Sequence, residues 1–195
     1  MHESFTTEQK KKIDTFINLA LTFNKTHNIF SRSNFNDVYK KDILDCSPLI
    51  EFLKKNDNVL DLGTGGGFPG ILLSILKPSN QINLLEKNKK KCYFLKIVID
   101  ELKLRNTRIV NKTIAKQNKL GKFDIITARA FASIEKIINL TKNNTHQNSK
   151  YILLKGKKLN IQNELKDIDK NKLRYEIIKQ EATTERNIVL IENDE

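Results

Sequence analysis

Val59-Leu60-Asp61-Leu62-Gly63-Thr64-Gly65-Gly66-Gly67-Phe68-Pro69-Gly70 is the stretch that decides the fold. A short apolar run enters a turn rich in glycine, and an apolar helix pattern follows over residues 69–76. Strand, glycine turn and helix in that order make the opening unit of an α/β sheet, whose ligand site lies at the carboxyl ends of its strands. Glycines there take unusual dihedrals and let a ligand approach the backbone closely. Outward from this unit the grammar repeats. Residues 81–85, 108–110, 123–127 and 151–154 have strand character, and helices are predicted over 87–104, 133–140 and 161–168. Residues 175–179 and 186–191 follow with no helix between them, which predicts a closing antiparallel hairpin. The expected fold is a seven-stranded, mostly parallel sheet covered on both faces.

Upstream of the glycine turn the pattern is helical. Ile13, Phe16, Ile17, Ala20 and Leu21 fall on one face of a helix, with Thr7 as its cap, and residues 35–44 and 48–55 read as two more helices. The chain is therefore expected to be one domain, residues 1–195. Residues 1–55 form a helical extension and 56–195 the α/β core.

Composition narrows the class. In 195 residues, 10 Phe and 4 Tyr argue against disorder, and no apolar run approaches the ~20 residues of a membrane helix. The N-terminus lacks signal-peptide character. Cys46 and Cys92 form neither a disulfide framework nor a zinc cluster, and His2, His27 and His146 are scattered. The reading is a reduced, cytoplasmic protein with no metal and no membrane partner. A net charge of +12 points to a polyanion, with nucleic acid first. Only six of the 35 basic residues are Arg, so A+T-rich coding is the competing explanation.

The flanks of the glycine turn choose its ligand. The Lys-Ser/Thr of a Walker phosphate loop is missing. Asp61, two residues before Gly63, would repel a pyrophosphate and suits a cation such as a sulfonium amino acid. Glu86 ends the second strand, 23 residues after Gly63, where a carboxylate accepts both ribose hydroxyls of an adenosine. Acid, glycine loop and acid at this spacing resemble the class I methyltransferases that use S-adenosylmethionine (SAM). The bland alternative has Asp61 capping a turn and Glu86 solvated.

Longer stretches add to this. Asp61 to Gly70, Thr127-Ala128-Arg129-Ala130-Phe131-Ala132-Ser133, Leu154-Lys155-Gly156 and Glu185-Arg186 together resemble the RsmG (GidB) family of bacterial 16S rRNA guanine-N7 methyltransferases. Asn24-Lys25-Thr26-His27-Asn28 and Ile43-Leu44-Asp45-Cys46 fit the same pattern. The resemblance implies SAM as cofactor, S-adenosylhomocysteine as product, and 16S rRNA or the small subunit as partner; a monomer is expected. The implied acceptor is N7 of one guanosine in the 530 loop. It places Asp61, Gly63, Gly65, Gly67 and Phe68 on the cofactor, Glu86 on the ribose, Ile114 and Ala115 beside the adenine, and Arg129 facing the donor or the base. It puts Lys155 and Arg186 on the RNA side, and the basic cluster that opens the helix after the second strand adds Lys89 and Lys90 as RNA-binding candidates. The chain departs from the family at Ala115, where an acid is usual, at Thr113, where a base is frequent, and at Asp42, which stands for a His.

Residue chemistry agrees with an N7 acceptor. That atom loses no proton on methylation, so the step needs positioning more than a general base. Ala128-Arg129-Ala130-Phe131 replaces the Asn-Pro-Pro-aromatic motif of many exocyclic-amine methyltransferases. Arg129 can hydrogen-bond guanine O6 or a phosphate; a salt bridge to Asp61 or Asp124 is its structural alternative. Phe131, Cys46 and Cys92 read as core, and His27 as structural. Lys87, Lys89, Lys90 and Lys91 open a helix against its dipole, and Lys155, Lys157 and Lys158 follow a strand. Both clusters suit a phosphate footprint or a solvated face. Two rival functions remain: a SAM enzyme with another RNA, protein or small-molecule acceptor, and a non-catalytic RNA-binding module.

Overall fold

Strand β1 (Asn58–Leu62) turns Val59 and Asp61 to one face of a sheet and Leu60 and Leu62 to the other, as the two-residue period of a strand requires. The computed structural model describes residues 5–168, 173–180 and 186–193. In chain order, α1 (Thr7–His27), α2 (Phe35–Val38) and α3 (Leu44–Cys46) precede β1. They are followed by α4 (Gly70–Leu76), β2 (Gln81–Leu85), α5 (Lys89–Leu102), β3 (Thr107–Val110), β4 (Phe123–Arg129) and α6 (Ile134–Thr141). β5 (Thr145–Lys155), α7 (Lys158–Glu164), β6 (Leu173–Lys179) and β7 (Asn187–Asn193) complete the order. The 7-stranded sheet runs β3-β2-β1-β4-β5-β7-β6. The first five strands pair in parallel, while β7 inserts antiparallel between β5 and β6. The expected closing hairpin is therefore present, with its second strand on the inside.

Two apolar layers cover the sheet. Val59, Ile82, Leu84, Ile125 and Ile152 pack with α1, α4 and α5 through Phe16, Ile71, Phe94 and Leu95. On the other face Leu60, Leu62, Ile126, Leu153 and Val189 pack with α6 and α7 through Ile134, Ile137 and Ile161. Asp61, Thr127 and Arg129 share the parity of Val59 and Ile125, so all three project toward the layer that carries the N-terminal helices.

The N-terminal segment departs from its sequence reading in three places. The cap of α1 is Thr6, not Thr7: Gln9 N–H donates to Thr6 Oγ1 and Thr6 N–H to Gln9 Oε1, a reciprocal capping box. Residues 35–44 are helical as expected, but not as one regular α-helix. α2 widens into a π turn (Tyr39–Ile43) before α3, and this register carries Asp42 and Asp45 into the interior at 2 % and 1 % exposure. Residues 48–55 give a 3-10 turn (Ser47–Phe52) instead of an α-helix. Among the described residues no helix is long and apolar enough to cross a membrane.

Candidate active site

The loop after β1 is held by its own backbone. Gly63 and Thr64 N–H donate to Leu85 O at 2.8 and 3.2 Å, which ties the loop to the end of β2, and Gly67 and Phe68 N–H return to Thr64 O. Gly63, Gly65 and Gly67 have φ of 64°, 57° and 93°, a region that only glycine enters cheaply. At Gly63 a Cβ would also lie 2.5 Å from Phe131 Cδ2. Gly63→Val is therefore expected to weaken binding of the SAM cofactor that the sequence predicts at least about tenfold, through backbone strain plus the collision with this ring. Isothermal titration calorimetry checks it, and Phe131→Ala in the same chain should recover only the collision part.

Asp61 does two things, and its two oxygens divide them. Oδ2 accepts the Gly70 N–H at 2.9 Å and so caps α4, as the structural alternative required. Oδ1 is buried without a hydrogen-bond partner, in a side chain with no exposure. Burial raises this carboxyl to about 6, against the pull of the neighbouring Thr64 hydroxyl, the Gly70 N–H and the Arg129 guanidinium. A buried carboxylate oxygen with spare lone pairs beside a glycine loop fits a cationic ligand.

Glu86, at 7 % exposure, is not a solvated strand end. Its Oε2 accepts Gly65 N–H at 3.1 Å and its Oε1 accepts Asn88 N–H at 2.8 Å, so it links the glycine loop to the start of α5. Each carboxylate oxygen keeps a lone pair for a hydroxyl donor. Ile114 is buried beside the Leu85 layer. The Ala115 N–H already donates to Asn118 Oδ1 at 2.5 Å, so a backbone bond from Ala115 to a ligand competes with that side chain.

Arg129 forms an ion pair, though with neither Asp61 nor Asp124. Its Nη1 lies 2.7 Å from Asp42 Oδ1 and 3.5 Å from Asp45 Oδ2, and its guanidinium sits 5.2 Å over the ring of Phe68. Arg32 grips the same Asp42 with Nε at 3.0 Å and Nη2 at 3.3 Å. Asp124 lies at the far end of β4, bonded to His146 at 3.0 Å, which explains why it cannot serve. Burial raises the Asp45 carboxyl, while Arg186 and Arg129 pull it down. Arg186 Nε is 3.8 Å from Asp45 Oδ1, and Gln180 Nε2 donates to Asp45 O. Asp42, held by Arg32 and Arg129, thus anchors the N-terminal helices to the tip of β4.

The remaining sequence candidates divide. Lys89 and Lys90 are exposed in the first turn of α5. Lys155 is engaged inside the protein: its Nζ is 2.7 Å from Glu164 Oε2 and donates to Ala132 O at 2.7 Å. Glu164 Oε2 also accepts Ile134 N–H, so this pair fixes the start of α6 behind the Arg129 run. Phe131 is 36 % exposed against Gly63 and is not core, because a glycine at 63 leaves its ring one wall and solvent. Cys46 is buried as expected, whereas Cys92 is half-buried with its thiol donating to Glu86 O. Glu185 and His2 lie outside the described residues. Asp42, Asp45 and Glu164 were not singled out by sequence as site residues; the only signal for Asp42 was its departure from the family pattern.

Comparison with known proteins decides the family. The family model described as rRNA small subunit methyltransferase G matches residues 9–189. The chain belongs to the rRNA small subunit methyltransferase G family. Among curated members, the protein of that name from Brachyspira hyodysenteriae is 35 % identical over 186 residues, covering 94 % of this chain and 90 % of its own. That from Mycoplasma capricolum is 35 % identical over 175 residues, covering 88 % and 74 %. Solved structures extend the likeness to the fold alone. A SAM-dependent methyltransferase from Aquifex aeolicus superposes with a TM-score of 0.64 at 14 % identity, covering 88 % of this chain and 97 % of that one. A ribosomal protein L11 methylase from Lactobacillus delbrueckii gives 0.63 at 15 %, covering 78 % of each. The fold of this methyltransferase G member is thus that of the class I SAM-dependent methyltransferases, with the glycine loop, Asp61 and Glu86 at the carboxyl ends of β1 and β2.

Proposed function

We propose that this protein transfers the methyl group of SAM to N7 of one guanosine in the 530 loop of 16S rRNA, acting as a cytoplasmic monomer. The observation that carries the cofactor assignment is the buried Asp61 Oδ1, without a hydrogen-bond partner, beside a loop whose glycines at 63, 65 and 67 hold positive φ. Bound SAM supplies an electrophilic methyl on a sulfonium centre. Asp61 would face its cationic amino-acid end, the Gly63–Gly67 backbone would line it, and Glu86 would take the ribose hydroxyls. Ile114 offers an apolar wall for the adenine.

What supports the N7 atom is the tip of β4. Ala128-Arg129-Ala130-Phe131 brings a guanidinium and a ring to the loop, but no side chain that would accept a proton. The nearby acids, Asp42 and Asp45, are buried among arginines. An in-line displacement by a lone pair needs only alignment and water exclusion. Arg129 is suited to fix the base through O6, and Phe131 to cover it. Exposed Lys89 and Lys90 serve the phosphates. Lys155 supports α6 from within, and Arg186 keeps partial exposure beside Asp45.

An acceptor panel tests the reading. Labelled methyl should pass from SAM to 16S rRNA or small subunits, and not to a ribosomal protein mixture or to free guanosine. Label in protein would move the acceptor to a different class.

A further inference from the structure

Three aromatic rings line up on the surface between the C-terminal turn of α1 and the first turns of α5. His27 lies 4.3 Å from Phe23 and Tyr93 lies 6.3 Å from it, centroid to centroid, while Phe23 rests on buried Phe94 at 5.1 Å. Tyr93 is 63 % exposed, well beyond what packing on Phe23 requires. Lys25, Lys89 and Lys90 are exposed on the same two segments, and none pairs with an acid among the described residues. Lysines in the first turn of α5 oppose its dipole, so helix stability does not account for them.

Residues next to both ends of this strip reach the glycine loop. The chain leaving α1 brings the Phe30 ring to 3.7 Å from a Cβ position on Gly66. One residue past Lys90, Lys91 Nζ is 3.8 Å from a Cβ position on Gly65. Two exposed rings, His27 and Tyr93, seated on half-buried Phe23 among cations with no acid partner, make the arrangement that holds unpaired nucleotides: bases stack on the rings and phosphates meet the ammonium groups. A lipid surface would favour a continuous apolar face, and an acidic protein would give no use to open, tilted rings.

We propose that the His27–Phe23–Tyr93 strip, flanked by Lys25, Lys89 and Lys90, is a docking surface for single-stranded RNA next to the cofactor loop. It holds nucleotides that flank the methylated base. The inference rests on the rRNA reading above and adds the surface that sets affinity for the acceptor.

The test uses the full chain and four variants, Tyr93→Ala, Tyr93→Leu, Tyr93→Phe and Lys89→Ala. Affinity for protein-free 16S rRNA is measured by titration, KM and kcat on small subunits by methyl transfer, and SAM affinity by calorimetry. Tyr93→Ala and Tyr93→Leu should weaken RNA binding and raise KM about tenfold, with kcat and SAM affinity unchanged. Tyr93→Phe should match the wild type, and Lys89→Ala should flatten the salt dependence of RNA binding. Unchanged RNA affinity in Tyr93→Ala overturns the inference. So does a KM defect on subunits without a defect on protein-free RNA, which would assign the strip to a ribosomal protein. A wild-type chain that binds SAM but neither binds nor methylates rRNA removes the underlying reading, and the inference with it.

Discussion

Arg129→Ala is expected to lower the unfolding free energy by about 3–5 kcal/mol, because it leaves two buried carboxylates short of a cation. Asp42 would retain Arg32, and Asp45 only the more distant Arg186. For a chain of this length the midpoint of thermal unfolding should fall by about 10 °C. Arg129→Lys keeps the charge without the planar fork and should recover part of that loss. Asp42→Ala combined with Arg129→Ala should cost less than the two single changes together, by about 1–3 kcal/mol, since the acid and its cation leave as a pair. Calorimetric unfolding of the four proteins checks this. Additive costs would mean that the 2.7 Å contact contributes nothing. Methyl transfer separates the roles further. At a temperature where all variants are folded, Arg129→Ala should still lose about a hundredfold or more in kcat, as a residue that orients the base would. Full activity there would confine Arg129 to the fold.

Asp61→Asn should cut SAM affinity by about tenfold to a hundredfold while the chain stays folded at neutral pH. The amide oxygen can still accept the Gly70 N–H, so the α4 cap survives. What disappears is the negative charge beside a cationic ligand. The pH dependence carries the same message with opposite signs for stability and binding. Burial raises the folded-state carboxyl to about 6, above its ordinary value. Without ligand, this group's contribution to stability is therefore fully present below about pH 4 and is lost as pH rises through about 6. On the proposed reading SAM binds the ionised form, so affinity should decline as pH falls below about 6, with proton release on binding in that range. Asp61→Asn should abolish both dependences. Calorimetry in buffers of different ionisation enthalpy measures the released proton; a wild-type affinity that stays flat from pH 7 to pH 5 would remove Asp61 from the cation site.

The sheet and the cofactor loop were legible because each rests on short-range pattern. Short apolar runs bounded by turn signals marked β1, β2 and β4, and the glycines at 63, 65 and 67 marked a loop of unusual dihedrals. Spacing alone put Glu86 at the end of the next strand, since βα units have narrow limits on length. The ion-pair network was not legible in the same way. Asp42 and Asp45 stand in a stretch with Lys40 and Lys41 that reads as a polar helix surface. Only the π turn carries both acids inward, and their partners come from the tip of β4 and the edge of β7. Lys155 misled for a related reason. A lysine after a strand at the ligand edge looks free until α7 brings Glu164 to it. Phe131 looked like core because it follows a buried strand, but Ala130 takes φ of 52° and directs the ring over Gly63 instead.

Mapping the product tests the central claim most directly. Small subunits from cells that lack the modification are incubated with the chain and labelled SAM. The rRNA is then reduced, cleaved with aniline at N7-methylguanosine and read by primer extension. One cleavage site, at a guanosine in the 530 loop, is the expected result, with label stoichiometric to that site. Label in the rRNA without aniline cleavage would place the methyl on another atom and contradict the N7 assignment. Cleavage outside the 530 loop would contradict the assigned position.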